Sequence, residues 1–384
     1  MVIMTQREEK RMERSVKDIK KIIIKVGSTT LCDHDGQINK EKILKVIAQI
    51  AKLKRAGYTV LLVSSGAIAA GMGALHLDQK PTLLPQKQAL AAIGQARLME
   101  IYEELFSIFQ MRCSQILLNH GDFDDRKRLM HLNLTMNALL DYDVVPIINE
   151  NDALSVDEIK VGDNDTLAAL LVPVVEAELL ILVSDIDGLY TANPQLDPHA
   201  KLLSYVDHLT PKIMSYAGDS HSTLGTGGMA TKLKAAKMVN DFGSNMCIVN
   251  GSKPDAIVNA LVDEGTWFNG ASGRKMKARE HWIAYRSKPK GKLVVDEGCQ
   301  KALMRHTSLL PKGIVDIEGD FLSGAVVDIV NQEGELLAKG ITNYASDEVR
   351  LIKGVNTDQI EKILHYKDYD TIIHANNMVV LEEK

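Results

Sequence analysis

Short runs of apolar, largely β-branched residues recur through the first two thirds of the chain, at 22–26 (IIIKV), 59–63 (TVLLV), 114–118 (SQILL), 144–148 (VVPII), 179–183 (LLILV) and 246–249 (MCIV). They are continuous rather than alternating, as expected of strands buried on both faces of a parallel sheet. Helical patterns lie between them. NKEKILKVIAQIAKLKRAG places Ile43, Ile47 and Ile50 on one face and closes on Gly57, a residue suited to the position after a helix end. PQKQALAAIGQARLMEIYEELFSI carries Leu90, Ile93, Leu98, Ile101, Leu105 and Ile108 at helical spacing. Strand and helix in alternation predict a layered α/β domain over roughly residues 18–262. Ligands of such sheets bind beyond the carboxyl ends of the strands.

The texture changes at GTWFNGASGRKMKAREHWIAYRSKPKGK, rich in Gly, Ser, Lys and Arg, which reads as a solvated linker. Beyond it, KLVVD, GIVDIEG, AVVDIVNQEGELLAKGITNY and EVRLIKG read as short strands, with a hairpin around NQEGE. The expected division is a charged extension at 1–18, a main domain at 19–264, a linker at 265–289 and a small β-rich domain at 290–384.

Composition narrows the function without naming it. The 384 residues suffice for two domains, and 45% hydrophobic with 25% charged residues is ordinary for a soluble globular protein. The net charge of −5 gives no global basic field for nucleic acid or anionic membrane. From 289 to 384, sixteen acids face eleven Lys and Arg, which opposes strong sequence-independent RNA or DNA binding. Cys32, Cys113, Cys247 and Cys299 lack metal spacing and suit free thiols in a reducing compartment. The charged start has no apolar signal region and no run of about 18 apolar residues exists, so the expectation is a cytoplasmic protein without a membrane span.

The chemistry concentrates at the strand ends. KVGSTTL places Lys25 in an apolar strand, which is costly unless its charge meets a partner, although a strand-end lysine can also reach solvent. Gly27 allows close approach of a ligand. SSGAIAAGMG (Ser64, Ser65, Gly66, Ala67) reads equally as an anion-binding helix start or as a tight turn with close helix–sheet packing. INENDALSVDEIK and VGDND gather Glu150, Asp152, Asp157, Glu158, Asp163, Asn164 and Asp165. Part of that stretch caps the following helix, and the rest fits a cation: a metal, an ammonium group, or both. In SDIDGLYTANP, a turn accounts for Asp187-Gly188 and Asn193-Pro194.

GTGGMATKLKAAKMV is a glycine-rich loop entering a helix with Lys232 in its first turns, which fits nucleotide phosphates. No GxxxxGK[ST] loop occurs, and no GxGxxG follows the first strand. Nor does a Ser–His–Asp or Cys–His pattern offer a nucleophile, so the substrate itself would attack. The pattern describes phosphoryl transfer by positioning and charge neutralisation.

In this order, KVGSTTL, SSGAIAAG, KQALAAIGQ, NENDA, IKVGDNDTLAAL, SDIDGLYTANP and AGDSHSTLGTGGMATKLKAA closely resemble the glutamate 5-kinase family of the amino-acid kinase superfamily. The C-terminal stretch resembles the PUA domain that many bacterial members carry. The resemblance runs from residue 20 to the C-terminus. It implies a three-layer αβα amino-acid kinase fold with a mostly parallel central sheet, followed by the PUA-like domain. It implies ATP-dependent phosphorylation of L-glutamate, with Mg²⁺ bridging the ATP phosphates. By the same resemblance, Lys25, Asp165 and Lys232 would be catalytic. Ser65, Gly66, Ala67, Asp152 and Asn164 would bind glutamate. ATP would be framed by Lys25, Gly27, Ser184, Asp185, Thr226, Gly227, Gly228, Met229, Ala230, Thr231 and Lys232. Asp163 would be structural or would support the site residues from behind. A dimer or tetramer and inhibition by proline are further family expectations. The alternatives are a kinase of aspartate or N-acetylglutamate, and an RNA-binding protein acting through the PUA-like domain.

Overall fold

The computed structural model describes residues 14–381 apart from 34–35, 124, 155–163, 218–227, 271–275 and 277. Its chain divides into two compact units, 1–119 with 133–274, and 120–132 with 275–384.

The first unit is built on an eight-stranded sheet. Its strands are β1 (Lys21–Val26), β2 (Thr59–Ser64), β3 (Arg112–Leu118), β4 (Val144–Glu150), β5 (Leu179–Ser184), β6 (Tyr205–Val206), β7 (Asn245–Asn250) and β8 (Thr266–Phe268). They lie in the order β3-β4-β2-β1-β5-β7-β8-β6. All neighbours are parallel except β7 and β8. The strand order turns around at β1: β2 and β4 continue to one side, β5 and β7 to the other. That reversal opens a crevice at the carboxyl ends, where ligands of parallel sheets bind.

The apolar runs at 22–26, 59–63, 144–148, 179–183 and 246–249 are these strands, and the residues of β5 are buried throughout. β3 departs from the expectation. It is the sheet's edge, and only Leu118 among its seven residues is buried. β8 lies inside the stretch read as a linker, with Trp267 and Phe268 fully buried. Three residues are too few for periodicity to announce a strand; pairing with β7 and β6 defines it.

The helices of this unit include α1 (Ser28–Leu31), α2 (Lys40–Arg55), α3 (Ala67–Ala74), α4 (Leu84–Ile108), α5 (Arg126–Asp141, which runs on from the other unit), α6 (Asn164–Val175), α7 (Pro211–Ser215), α8 (Met229–Phe242) and α9 (Ala256–Asn259). α2 follows its sequence closely. Asn39 caps it by accepting from the Glu41 and Lys42 amides, Ile43, Ile47 and Ile50 are fully buried, and Gly57 leaves it with φ of 91°. In α4, Leu90, Leu98, Ile101 and Leu105 are buried, whereas Ile93 and Ile108 face outward. A helix of 25 residues at 3.6 per turn drifts off any single apolar stripe.

The small residues of SSGAIAAGMG serve helix–helix rather than helix–sheet packing. A Cβ on Gly94 of α4 would stand 1.8 Å from the Ala67 carbonyl oxygen and 2.2 Å from the Gly71 nitrogen. A Cβ on Gly71 would stand 2.1 Å from the Leu90 carbonyl oxygen. Backbone meets backbone at both points, so neither contact can be relieved by a rotamer change.

Before β1, Arg14 donates to the carbonyl oxygens of Glu264 (2.8 Å) and Gly265 (3.3 Å) and lies 5.5 Å over the Trp267 ring. Residues 14–18 are not helical, and this cation–π and hydrogen-bond cluster anchors them.

The second unit has a five-stranded sheet in the order β10-β9-β11-β12-β13, from β9 (Lys292–Val295), β10 (Ile314–Glu318), β11 (Val326–Val330), β12 (Leu336–Ile341) and β13 (Met378–Val380). β11 and β12 form the hairpin expected around NQEGE. EVRLIKG is a helix, Ser346–Ile352, and not the strand its residues suggested. Glu348 accepts from the Ala345 amide at 2.7 Å and closes the first turn, while Val349 and Ile352, three apart, are both buried. Within this unit the Trp282 indole donates to the Phe123 carbonyl at 2.9 Å, which accounts for residues 120–132 grouping with it. Among the described residues no helix is long and apolar enough to cross a membrane, and all four cysteines are free thiols.

The close α3–α4 approach gives the first prediction. Gly94→Ala should lower the unfolding free energy by more than about 3 kcal/mol, read from urea unfolding, because a backbone-to-backbone clash must push the helices apart. Unchanged stability would show that the helices can part freely.

Candidate active site

β1 carries Lys25 to the carboxyl edge of the sheet between Ile24 and Val26, both fully buried, and Lys25 is itself only 8% exposed. Its Nζ stands 2.6 Å from Asp165 Oδ1. Lys232, in the first turn of α8, places its Nζ 2.9 Å from Asp165 Oδ2. One carboxylate thus holds two buried ammonium groups brought from positions far apart in sequence. Burial alone would raise the Asp165 pKa. Lys25 and Lys232 outweigh it and hold the carboxyl below its ordinary range.

Asn164 and Asp165 lie inside the first turn of α6, not ahead of it as a cap reading of VGDND expects. An acid there also meets the positive end of the helix dipole. Asp157, Glu158 and Asp163 lie outside the described residues, as do Thr226 and Gly227.

Asn164 Nδ2 donates to Ser65 Oγ (2.8 Å), the Ser64 carbonyl (3.1 Å) and Asn149 Oδ1 (3.1 Å). These residues open onto a cleft of about 490 Å³ whose lining includes Ser65, Gly66, Ala67, Asn149, Asp152 and Asn164. Gly66 takes φ of 106° before α3, a conformation that only glycine adopts without strain. Asp152 is pushed up to about 6 by burial, and Lys80, also in the lining, opposes that shift only partly. A carboxylate raised in this way recovers its ordinary ionisation when a cation binds beside it.

The remaining predicted residues stand on the other side of β1. Ser184 ends β5 and donates to Asp185 Oδ1 at 3.1 Å. Gly228 precedes α8, and the Thr231 hydroxyl donates back to the Gly228 carbonyl at 2.9 Å, with Met229 and Ala230 between them. Gly27 lies against Lys25: a Cβ there would touch its Nζ at 3.6 Å. Asp187, read as a turn residue, also accepts from Asn250 (2.9 Å) and pairs with Lys253 (3.0 Å).

The lysine pair therefore stands between a polar cleft at the ends of β2 and β4 and a helix start beyond β5. Such an arrangement can steady a phosphoryl group passing from one side to the other. The structure adds residues that the motifs did not single out. Asn149, 2% exposed, joins Asn164 to Gln95 of α4. A buried amide ending an apolar strand is the signal in VVPIINE that pointed to it.

A model of the amino acid kinase family matches residues 20–250, and a model of the PUA domain matches residues 291–364. The chain belongs to the amino acid kinase family. Its relatives include the glutamate 5-kinase of Thermoanaerobacter sp. (strain X514), 46% identical over 94% of this chain and 98% of its own. That of Caldanaerobacter subterraneus subsp. tengcongensis is 47% identical over the same shares. That of Geobacter sulfurreducens is 44% identical, again over 94% and 98%. Among solved structures, UMP kinase from Ureaplasma parvum aligns over 65% of this chain and 99% of its own, at 19% identity and a TM-score of 0.45. In this family member, the sheet reversal, the lysine pair and the cleft coincide at one edge.

The Asp152 environment sets a pH test. Its folded-state value of about 6 lies above the ordinary 3.8, so the folded chain binds the proton more tightly than the unfolded chain does. Its contribution to stability is present at low pH and lost as pH rises through about 6. Asp152→Asn should therefore stabilise the ligand-free protein at pH 8 by on the order of 1 kcal/mol, and give no gain near pH 4. Thermal melts at the two pH values check this, and equal effects at both would contradict it.

Proposed function

We propose that the protein transfers the γ-phosphoryl group of ATP to the γ-carboxylate of L-glutamate, giving ADP and L-glutamyl 5-phosphate, the first step of proline synthesis from glutamate. The observation that carries this reading is the Lys25–Asp165–Lys232 bridge beside the cleft, in a chain whose 94% aligns with glutamate 5-kinases. Those relatives favour glutamate over aspartate or N-acetylglutamate as acceptor, and a kinase over an RNA-binding protein.

A carboxylate is already ionised at neutral pH and needs no general base. Its oxygen attacks the γ-phosphorus, the bond to the β-phosphate oxygen breaks, and ADP leaves with the electron pair. The obstacle is that two anions must meet. Their repulsion at about 4 Å reaches several kcal/mol in a partly dry site. In this reading Lys25 and Lys232 neutralise it, and Asp165 holds both amines at the reacting centre. Asp152 takes the substrate ammonium, with Ser65, Asn164 and the Gly66 and Ala67 backbone around the amino acid. Gly27, Ser184, Asp185 and the segment from Thr226 to Thr231 frame the nucleotide.

Among the described residues no group of three or more His, Cys, Asp or Glu could hold a metal. In this reading Mg²⁺ enters with the nucleotide, as MgATP. A cytoplasmic homo-oligomer inhibited by proline belongs to the same reading and rests on the family relation alone.

The test supplies MgATP and hydroxylamine with glutamate, aspartate or N-acetylglutamate, and looks for the coloured hydroxamate of an acyl phosphate. Signal with glutamate alone is expected; signal with another acid would move the substrate. Absence of signal from a folded protein would overturn the kinase reading. Lys232→Ala should lower kcat by at least about 100-fold, with a much smaller change in the KM for glutamate, as for loss of a charge that acts mainly in the transition state. An unchanged kcat would remove Lys232 from the mechanism.

A further inference from the structure

Four amide side chains form a directional chain beneath the cleft. Asn164 Nδ2 donates to Asn149 Oδ1 (3.1 Å), Asn149 Nδ2 to Gln95 Oε1 (2.9 Å), and Gln95 Nε2 to Gln115 Oε1 (3.2 Å). The Glu150 amide also donates to Asn149 Oδ1 at 2.9 Å, which forbids the flipped Asn149 amide. At the cleft end, the Asn164 nitrogen is fixed by three acceptors. Its carbonyl oxygen is buried and has no partner among the described residues. A buried acceptor without a donor costs roughly 1–3 kcal/mol, so a structure that keeps one at a cleft wall has a donor yet to arrive.

We infer that Gln95 is a positioning residue for the amino-acid substrate: through Asn149 it holds the Asn164 amide with its carbonyl oxygen turned to accept from the substrate ammonium. The inference rests on the reading of the cleft as the amino-acid site. Gln95 lies in α4 and reaches Asn149 at the end of β4. Its side-chain oxygen is the acceptor that orients Asn149. Without it, the Asn149 nitrogen loses its partner, and the side chain that meets Asn164 keeps only the contacts of its oxygen. The ammonium would then meet Asp152 on one side and the Asn164 oxygen on the other, both in the lining of one cleft.

The test compares glutamate with glutarate, which lacks the amino group, in the wild type, Gln95→Met, Asn149→Ala and the double variant. The KM for glutamate and the inhibition constant of glutarate are read in the hydroxamate assay. Gln95→Met should raise the KM for glutamate about tenfold, leave kcat within about twofold, and leave the glutarate constant unchanged. In the Asn149→Ala background it should add nothing, because both act on one unit. An unchanged KM for glutamate, an equal loss for glutamate and glutarate, or full additivity with Asn149→Ala would overturn the role. If Gln95→Met does not melt cooperatively, Gln95→Asn withdraws the same acceptor and is read the same way. A folded wild type that makes no hydroxamate from glutamate would instead remove the kinase reading on which the inference stands.

Discussion

Two ammonium groups are buried at one edge of a parallel sheet, and a single carboxylate holds both. Taking an ion from water into a protein costs several kcal/mol unless a partner of opposite charge is already in place. Lys25 and Lys232 each find that partner in Asp165, at 2.6 and 2.9 Å. The three residues come from β1, the start of α6 and the start of α8, so the bridge also ties together the elements that meet where the strand order reverses. In the reading proposed above, the same charges that would be a liability in an apolar core become the device that lets two anions approach.

The cleft wall depends on a different constraint. α3 and α4 approach so closely that Gly71 and Gly94 leave no room for a Cβ. Next to that contact, Gln95 of α4 accepts from Asn149 of β4 at 2.9 Å, and Asn149 in turn accepts from Asn164 at the cleft wall. Burial pushes the Asp152 carboxyl up to about 6, which favours a cationic ligand at the expense of the empty protein.

The second unit shows where local pattern misleads. In EVRLIKG the apolar residues suggested a strand, yet the Glu348 contact to the Ala345 amide and the spacing of Val349 and Ile352 make it a helix. A seven-residue segment is too short for periodicity to separate the two. At β8 and β3 the neighbours decide: one is a strand because β6 and β7 flank it, the other is half-exposed because it stands at the edge.

By itself the sequence determined the alternation of continuous apolar runs with amphipathic helices, the glycine-rich turns, and the ordered motifs that mark the family. These are local properties of composition, period and turn chemistry, and they survive without knowledge of neighbours. It also placed Lys25, Asp165 and Lys232 at strand and helix ends, where chemistry was expected. Tertiary structure alone decided that one carboxylate bridges both lysines, since residues 67 and 140 positions apart meet only when β1, α6 and α8 pack. It likewise decided that Gln95 of α4 faces Asn149 of β4. No local pattern announces such a partner, because the hydrogen bond exists only when α4 packs against the end of β4.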